Sequence, residues 1–135
     1  MPNRRPEYPQ AILLVEDEQL VSLFMRDVLE DEGFQCLSTN TVDHARRWIE
    51  HVPIGAAILD VSVRGELVFP LAHLLVEKRT PFVFVTGYDR DVIPKEFDST
   101  TYFQKPVDTE QLLGAIKRLI ATADDLRNGP STVGT

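Results

Sequence analysis

Short, unbroken apolar runs alternate along the chain with stretches whose apolar residues recur at helical spacing. Ala11-Ile-Leu-Leu-Val15 is apolar throughout, as a strand covered on both faces must be. From Gln19 the apolar positions Leu20, Leu23, Phe24, Val28 and Leu29 predict a helix, and Gly33 supplies its stop. Phe34 to Ser38 reads as a second, weaker strand. Thr41 can cap a helix whose inner face is Val42, Ala45, Trp48 and Ile49. Ala56-Ala-Ile-Leu59 is a third strand that runs into Asp60. A third helix should start near Val68 to Pro70, because proline is tolerated only in a first turn, and should reach about Lys78. Pro81-Phe-Val-Phe-Val85 is the fourth strand. Asp89 to Phe97 is at best a short or irregular helix, since Pro94 interrupts it and few apolar residues anchor it. Thr101 to Gln104 is a short fifth strand. Asp108 then caps a last helix, with Gln111 one turn on as a capping-box partner and a stripe of Leu112, Leu113, Ile116, Leu119 and Ile120.

Five strands alternating with helices imply right-handed crossovers and a parallel sheet covered on both faces. Sites in such sheets form at the carboxyl ends of the strands. The polar residues that interrupt the apolar runs fall there. Strand one runs into Glu16-Asp17-Glu18, strand three ends on Asp60, strand four on Thr86 and strand five near Lys105. Carboxylates converging on one edge repel each other, and a divalent cation relieves the repulsion. All candidate ligands are hard oxygens, which favours Mg²⁺ or Mn²⁺ over zinc. One carboxylate beside such a cation and a lysine is equipped for phosphoryl transfer, which is mostly positioning and charge neutralisation.

Composition narrows the choice. With 135 residues the chain suits one domain, and 14 basic against 21 acidic residues give a net charge of −7. That charge argues against nonspecific binding to nucleic acid or to an anionic membrane surface. The single cysteine, Cys36, precludes an internal disulfide and reads as a small core residue. The first ten residues carry no apolar signal segment, and no apolar run approaches the roughly 18 residues of a membrane span. A soluble protein of the cytoplasm is the expectation. Residues 1–9 read as a flexible arm, 10–123 as the folded domain and 124–135 as a disordered tail.

Four motifs now stand in order: Leu-Leu-Val-Glu16-Asp17-Glu18, Ile58-Leu-Asp60-Val-Ser-Val63, Phe84-Val-Thr86-Gly87 and Gln104-Lys105-Pro106. Together they resemble the signature of response-regulator receiver domains, over roughly residues 10–122. The resemblance implies a flavodoxin-like (βα)5 three-layer sandwich around a parallel five-stranded sheet of order 2-1-3-4-5, with helix four short or irregular. It implies that Asp60 is the phosphoacceptor, attacking a phosphohistidine on a sensor histidine kinase or a histidine phosphotransferase. Asp17 and Glu16 match the acidic metal ligands, together with Asp60 itself and the backbone carbonyl of Ser62. Lys105 matches the residue that neutralises the phosphoryl charge, next to Pro106 in a peptide bond that is usually cis in this family. Thr86 matches the hydroxyl that contacts the phosphoryl group, Gly87 a point that absorbs the backbone change, and Tyr102 the aromatic switch. Tyr88 would stand near the phosphoryl group and lengthen its lifetime.

Pro81-Phe-Val-Phe-Val-Thr-Gly-Tyr88 further resembles the Pro-Phe-x-Phe-Ala-Thr-Gly-Tyr motif of single-domain receivers often called FAT GUY, seen in alphaproteobacterial general stress response. Val85 stands where that motif has alanine. The stretch Arg64-Gly65-Glu66-Leu-Val-Phe-Pro70 replaces the proline and Met-Asp-Gly usual before helix three, and the interval from Asp60 to Thr86 is a few residues short.

Each residue taken alone has a plainer reading. An acidic triplet is ordinarily a solvated helix start, a lone lysine a surface charge, and Tyr102 an edge aromatic. Trp48, His44, His51 and His73 lack ligand spacing and read as packing or surface residues. On this reading the chain is a stand-alone phosphorylation switch, not a conventional enzyme, acting as a monomer or weak dimer on a downstream protein. Two alternatives stand beside it. One is a pseudo-receiver that is never phosphorylated and serves as a binding module. The other is an acyl-phosphate hydrolase, disfavoured because Ser62 occupies the place of its second carboxylate.

Overall fold

A computed structural model describes residues 10–128, with side chains through Asp124. The expected arm at 1–9 lies outside the described residues, as does 129–135. The strands are β1 (Ala11–Val15), β2 (Gln35–Thr39), β3 (Ile54–Asp60), β4 (Ser62–Val63), β5 (Glu66–Leu67), β6 (Phe82–Thr86) and β7 (Tyr102–Gln104). The helices are α1 (Gln19–Asp31), α2 (Val42–His51), α3 (Phe69–Glu77) and α4 (Thr109–Asn128). β2, β1, β3, β6 and β7 form one sheet in that order, every pairing parallel. With β4 and β5 set aside as a separate hairpin, this is the expected 2-1-3-4-5.

Alternation of side chains along each strand splits the core in two. Leu13, Val15, Ala57, Leu59, Phe82 and Phe84 face α2 and α3. Ile12, Leu14, Ala56, Ile58, Val83 and Val85 face Met25 and Leu29 of α1 and Leu112 and Ile116 of α4. Both faces are covered, which is why the strands read as unbroken apolar runs.

Local chemistry sets the element ends. Thr41 Oγ1 accepts from His44 N–H at 3.1 Å and caps α2. Asp108 Oδ1 accepts from the N–H groups of Glu110 and Gln111 at 3.0 and 3.2 Å and starts α4. Gly33 follows α1 at φ 97°, a conformation only glycine adopts readily.

The structure corrects one expectation, the start of the tail, and adds three features the sequence left open. The buried face of α1 is Met25 and Leu29, while Leu20, Leu23 and Phe24 are exposed. Those three residues fit the helical period but lie on the face turned from the sheet. The last helix continues to Asn128, so residues 124–128 are helical and not part of a tail. Gly, Pro and Ser begin only after it. The segment expected to be short or irregular with few anchors forms 3₁₀ turns at Arg90–Val92 and Lys95–Phe97, anchored by buried Ile93 and Phe97. Pro94 separates the turns, since a proline ring cannot continue a helix. Finally, residues 62–67 fold into a β-hairpin. Arg64 and Gly65 at its tip have φ 52° and 78°, the paired positive values that suit a two-residue turn between twisted strands.

Candidate functional site

The strand ends deliver their polar residues to one edge of the sheet. Glu16 follows β1 directly and is buried, its N–H bound to Thr39 O at 3.0 Å. Asp60 closes β3 and is 8% exposed. Thr86 closes β6, fully buried, and its Oγ1 accepts from Tyr88 N–H at 2.9 Å. Lys105 N–H donates to Thr86 O at 2.8 Å, so the exit of β7 is tied to the end of β6. The Lys105–Pro106 peptide bond is cis.

Charge is concentrated here. Carboxylate oxygens of Glu16, Asp17 and Asp60 lie within 4.8 Å of one another. The Lys105 ammonium stands against this cluster, 3.0 Å from Glu16 Oε1, 2.9 Å from Glu18 Oε1 and 3.0 Å from Asp60 Oδ2. Burial alone would lower its pKa, but the hydrogen bonds to Glu18, Glu16 and Asp60 outweigh burial and hold it above the ordinary lysine value. Burial raises the Glu16 carboxyl above its usual range, the Glu18 N–H and Lys105 offset part of that, and the charge on Asp60 adds to it. Three carboxylates held this close, two of them buried, are a hard-oxygen donor set, and they fit a divalent cation such as Mg²⁺.

The hairpin also reaches the site. Arg64 N–H donates to Asp17 Oδ2 at 2.8 Å, and Ser62 N–H lies 3.4 Å from Asp60 Oδ1. Sequence reasoning missed this hairpin, although Arg64-Gly65 between two short extended pairs is a turn signal that could have found it.

Comparison with known proteins gives the family. The response regulator receiver domain family matches residues 12–117. The chain belongs to that family. Receivers of this kind are signalling switches rather than conventional enzymes. The solution structure of SdrG from Sphingomonas melonis Fr1 superposes with a TM-score of 0.72 at 35% identity, over 82% of this chain and 96% of that one. The two-component response regulator PprB of Pseudomonas aeruginosa is 27% identical over 118 residues, 81% of this chain and 43% of PprB. A further structure, TrrA from Thermotoga maritima in complex with Mg(2+)-BeF, shares the fold at 19% identity and a TM-score of 0.72, over 82% of this chain and 98% of that one. The chain spans between 24% and 50% of the length of the curated relatives it matches.

Within this receiver the remaining candidates sit apart from the carboxylates or at their rim. Gly87, Tyr88 and Pro106 are exposed, with Tyr88 at 61%. Tyr102 is half-buried against the α2–α3 side of the core. Arg90 lies over its ring at 5.0 Å and donates to Phe97 O at 3.1 Å and to Asp98 O. One arginine thus joins Tyr102 to both 3₁₀ turns. Cys36 is buried among apolar side chains, which pushes its thiol up to about 12. His73 pairs with exposed Glu96 at 3.4 Å, and His44 packs beside Trp48. Among the described residues no helix is long and apolar enough to cross a membrane.

Proposed function

We propose that this receiver accepts a phosphoryl group on Asp60 from a phosphohistidine of a partner kinase or phosphotransfer protein. The observation that carries the reading is the Lys105 ammonium, 3.0 Å from Asp60 Oδ2 and beside two further carboxylates able to share a cation. An Asp60 oxygen attacks phosphorus, the new P–O bond forms as the P–N bond breaks, and the imidazole leaves on the partner. Lys105 takes up charge on the phosphoryl oxygens. Mg²⁺ or Mn²⁺, held by Glu16, Asp17 and Asp60, would neutralise the remaining charge.

Hairpin pairing supports a place for Ser62 in that ligand set. Val68 N–H donates to Val61 O at 3.0 Å, and hydrogen-bonded pairs alternate with unbonded ones along an antiparallel ladder. The Ser62–Leu67 pair is therefore the unbonded one. Ser62 turns its N–H and C=O away from β5, toward the side where its N–H meets Asp60.

The phosphorylated state is read through the segment after Thr86. In the structure the Thr86 hydroxyl oxygen accepts from Tyr88 N–H, which turns it toward that segment. Phosphate on Asp60 rewards its release toward the phosphoryl oxygens, Gly87 absorbs the change, and Tyr102 and the Arg90-linked turns follow. The Pro81–Tyr88 sequence supports a single-domain receiver of the FAT GUY type. Its output is then a protein contact or onward phosphate traffic in the cytoplasm, in a stress-response setting. The net charge of −7 disfavours nucleic acid as the direct target.

Beryllofluoride with Mg²⁺, the pair named for TrrA, mimics the acyl phosphate and gives the test. Added together, the two should shift the amide NMR signals of Asp60, Thr86 and residues 87–97, and EDTA should reverse the shifts without unfolding the domain. If the signals of Asp60 and Thr86 stay in place at saturating concentrations, the reading is wrong. Asp17→Asn should weaken Mg²⁺ binding on the order of tenfold or more, because it removes one of the few charged oxygens a hard cation seeks. An unchanged Mg²⁺ titration would remove Asp17 from the ligand set.

A further inference from the structure

The Lys105 ammonium has three N–H donors, and Glu16, Glu18 and Asp60 use all three. These carboxylates are not equivalent. Glu16 and Asp60 are buried members of the cation-binding cluster. The Glu18 side chain is 61% exposed and lies outside that cluster. It stands at the N-cap of α1 but makes no capping hydrogen bond with its side chain, so the helix does not need it there. The hydrogen bond its side chain makes is to Lys105, the shortest of the three at 2.9 Å.

Two consequences follow from elementary electrostatics. A phosphoryl group on Asp60 needs N–H donors of Lys105, and no fourth donor exists to offer. The solvated Glu18 is the partner whose release costs least, because water replaces the lost bond. Four carboxylates also face one ammonium at this edge: Glu16, Asp17, Glu18 and Asp60 against Lys105. A divalent cation offsets two of the negative charges, and Glu18 keeps the mouth negative. A free anionic phosphodonor meets that charge unaided. A phosphohistidine on a protein arrives with the binding energy of a whole surface, which can offset the repulsion.

We propose that Glu18 is a positioning and donor-selecting residue: it holds Lys105 until a phosphoryl oxygen displaces it, and its charge disfavours small free phosphodonors. This rests on the reading of Asp60 as phosphoacceptor. The role belongs to Glu18 alone among the acidic triplet, since Glu16 is buried and Asp17 is bound to the hairpin.

The test compares two small donors of different charge, acetyl phosphate as a dianion and phosphoramidate as a monoanion at neutral pH. Phosphorylation rates are measured for wild type, Glu18→Gln and Glu18→Ala at Mg²⁺ concentrations shown to saturate each protein. Glu18→Gln removes the charge and keeps the shape, and Glu18→Ala removes the hydrogen bond as well. Far-UV circular dichroism confirms that each variant folds. Both variants should react faster with acetyl phosphate, by up to roughly 25-fold, the order of a dianion against one unit charge near 4 Å in a watery dielectric. The gain should be smaller with phosphoramidate and should shrink as salt screens the charge. A merely structural role would change both donors by one factor at every salt concentration, and that result overturns the proposal. So do unchanged rates. Failure of every protein to label Asp60 would instead overturn the phosphoacceptor reading, and this one with it.

Discussion

Lys105→Ala should lower beryllofluoride affinity by roughly 10²-fold, the order lost when one preorganised charge partner of a developing anion is removed. Lys105 is held in place by three carboxylates and a backbone tie to Thr86. Those carboxylates keep it protonated, so the whole positive charge is available to a phosphoryl oxygen. No other ammonium or guanidinium of the described residues is shown bonded to Asp60. Mg²⁺ binding should survive the substitution, or tighten, because the cluster loses a competing cation. The pair of titrations is informative in both directions. Near-wild-type beryllofluoride affinity in Lys105→Ala would mean that phosphoryl charge is neutralised from elsewhere, and the arrangement at the sheet edge would need another explanation.

Phe84→Ala should cost the domain about 3–5 kcal/mol, the range for deleting a buried aromatic that leaves a cavity. Phe84 lies on β6 and is fully buried. Its ring meets Phe69, Phe82 and Phe97 edge-on, at centroid distances of 5.7, 5.4 and 5.5 Å. Such pairs add to the plain burial of area. The same cluster fixes the 3₁₀ segment through Phe97, so the loss should reach beyond stability. Beryllofluoride-induced shifts in residues 87–97 should broaden or vanish, while Asp60 still binds the ligand. Urea denaturation measures the first effect, and a loss under about 1 kcal/mol would show that the aromatic cluster collapses around the gap.

Much of this fold is legible from periodicity, and the reason is specific. β1, β3 and β6 are covered on both faces, so their apolar runs are unbroken and stand out from the amphipathic stretches between them. The site is legible by the same logic, because the polar residues that end those runs are the ones the sheet brings to a common edge. What the sequence hid were features set by three-dimensional context. The α1 stripe through Leu20, Leu23 and Phe24 has helical spacing, yet spacing alone does not say which apolar face meets the sheet, and here Met25 and Leu29 do. Residues 62–67 are too short to show a strand period, which left the Arg64-Gly65 turn as the one local cue to the hairpin, and left the bond from Arg64 to Asp17 out of view. The role of Arg90 depends on contacts with Phe97, Asp98 and Tyr102 that no local pattern encodes. The helical residues of α4 run past Ala123 to Asn128, into the stretch read from composition as tail.

The central claim is that Asp60 carries the phosphoryl group, and intact-mass measurement tests it most directly. Wild type and Asp60→Asn are incubated with acetyl phosphate in Mg²⁺, with a parallel sample in EDTA, and their masses are compared. The account predicts one added phosphate on the wild type in Mg²⁺, none in EDTA and none on Asp60→Asn. Equal phosphate incorporation by Asp60→Asn, or no incorporation by the folded, Mg²⁺-saturated wild type, would contradict it.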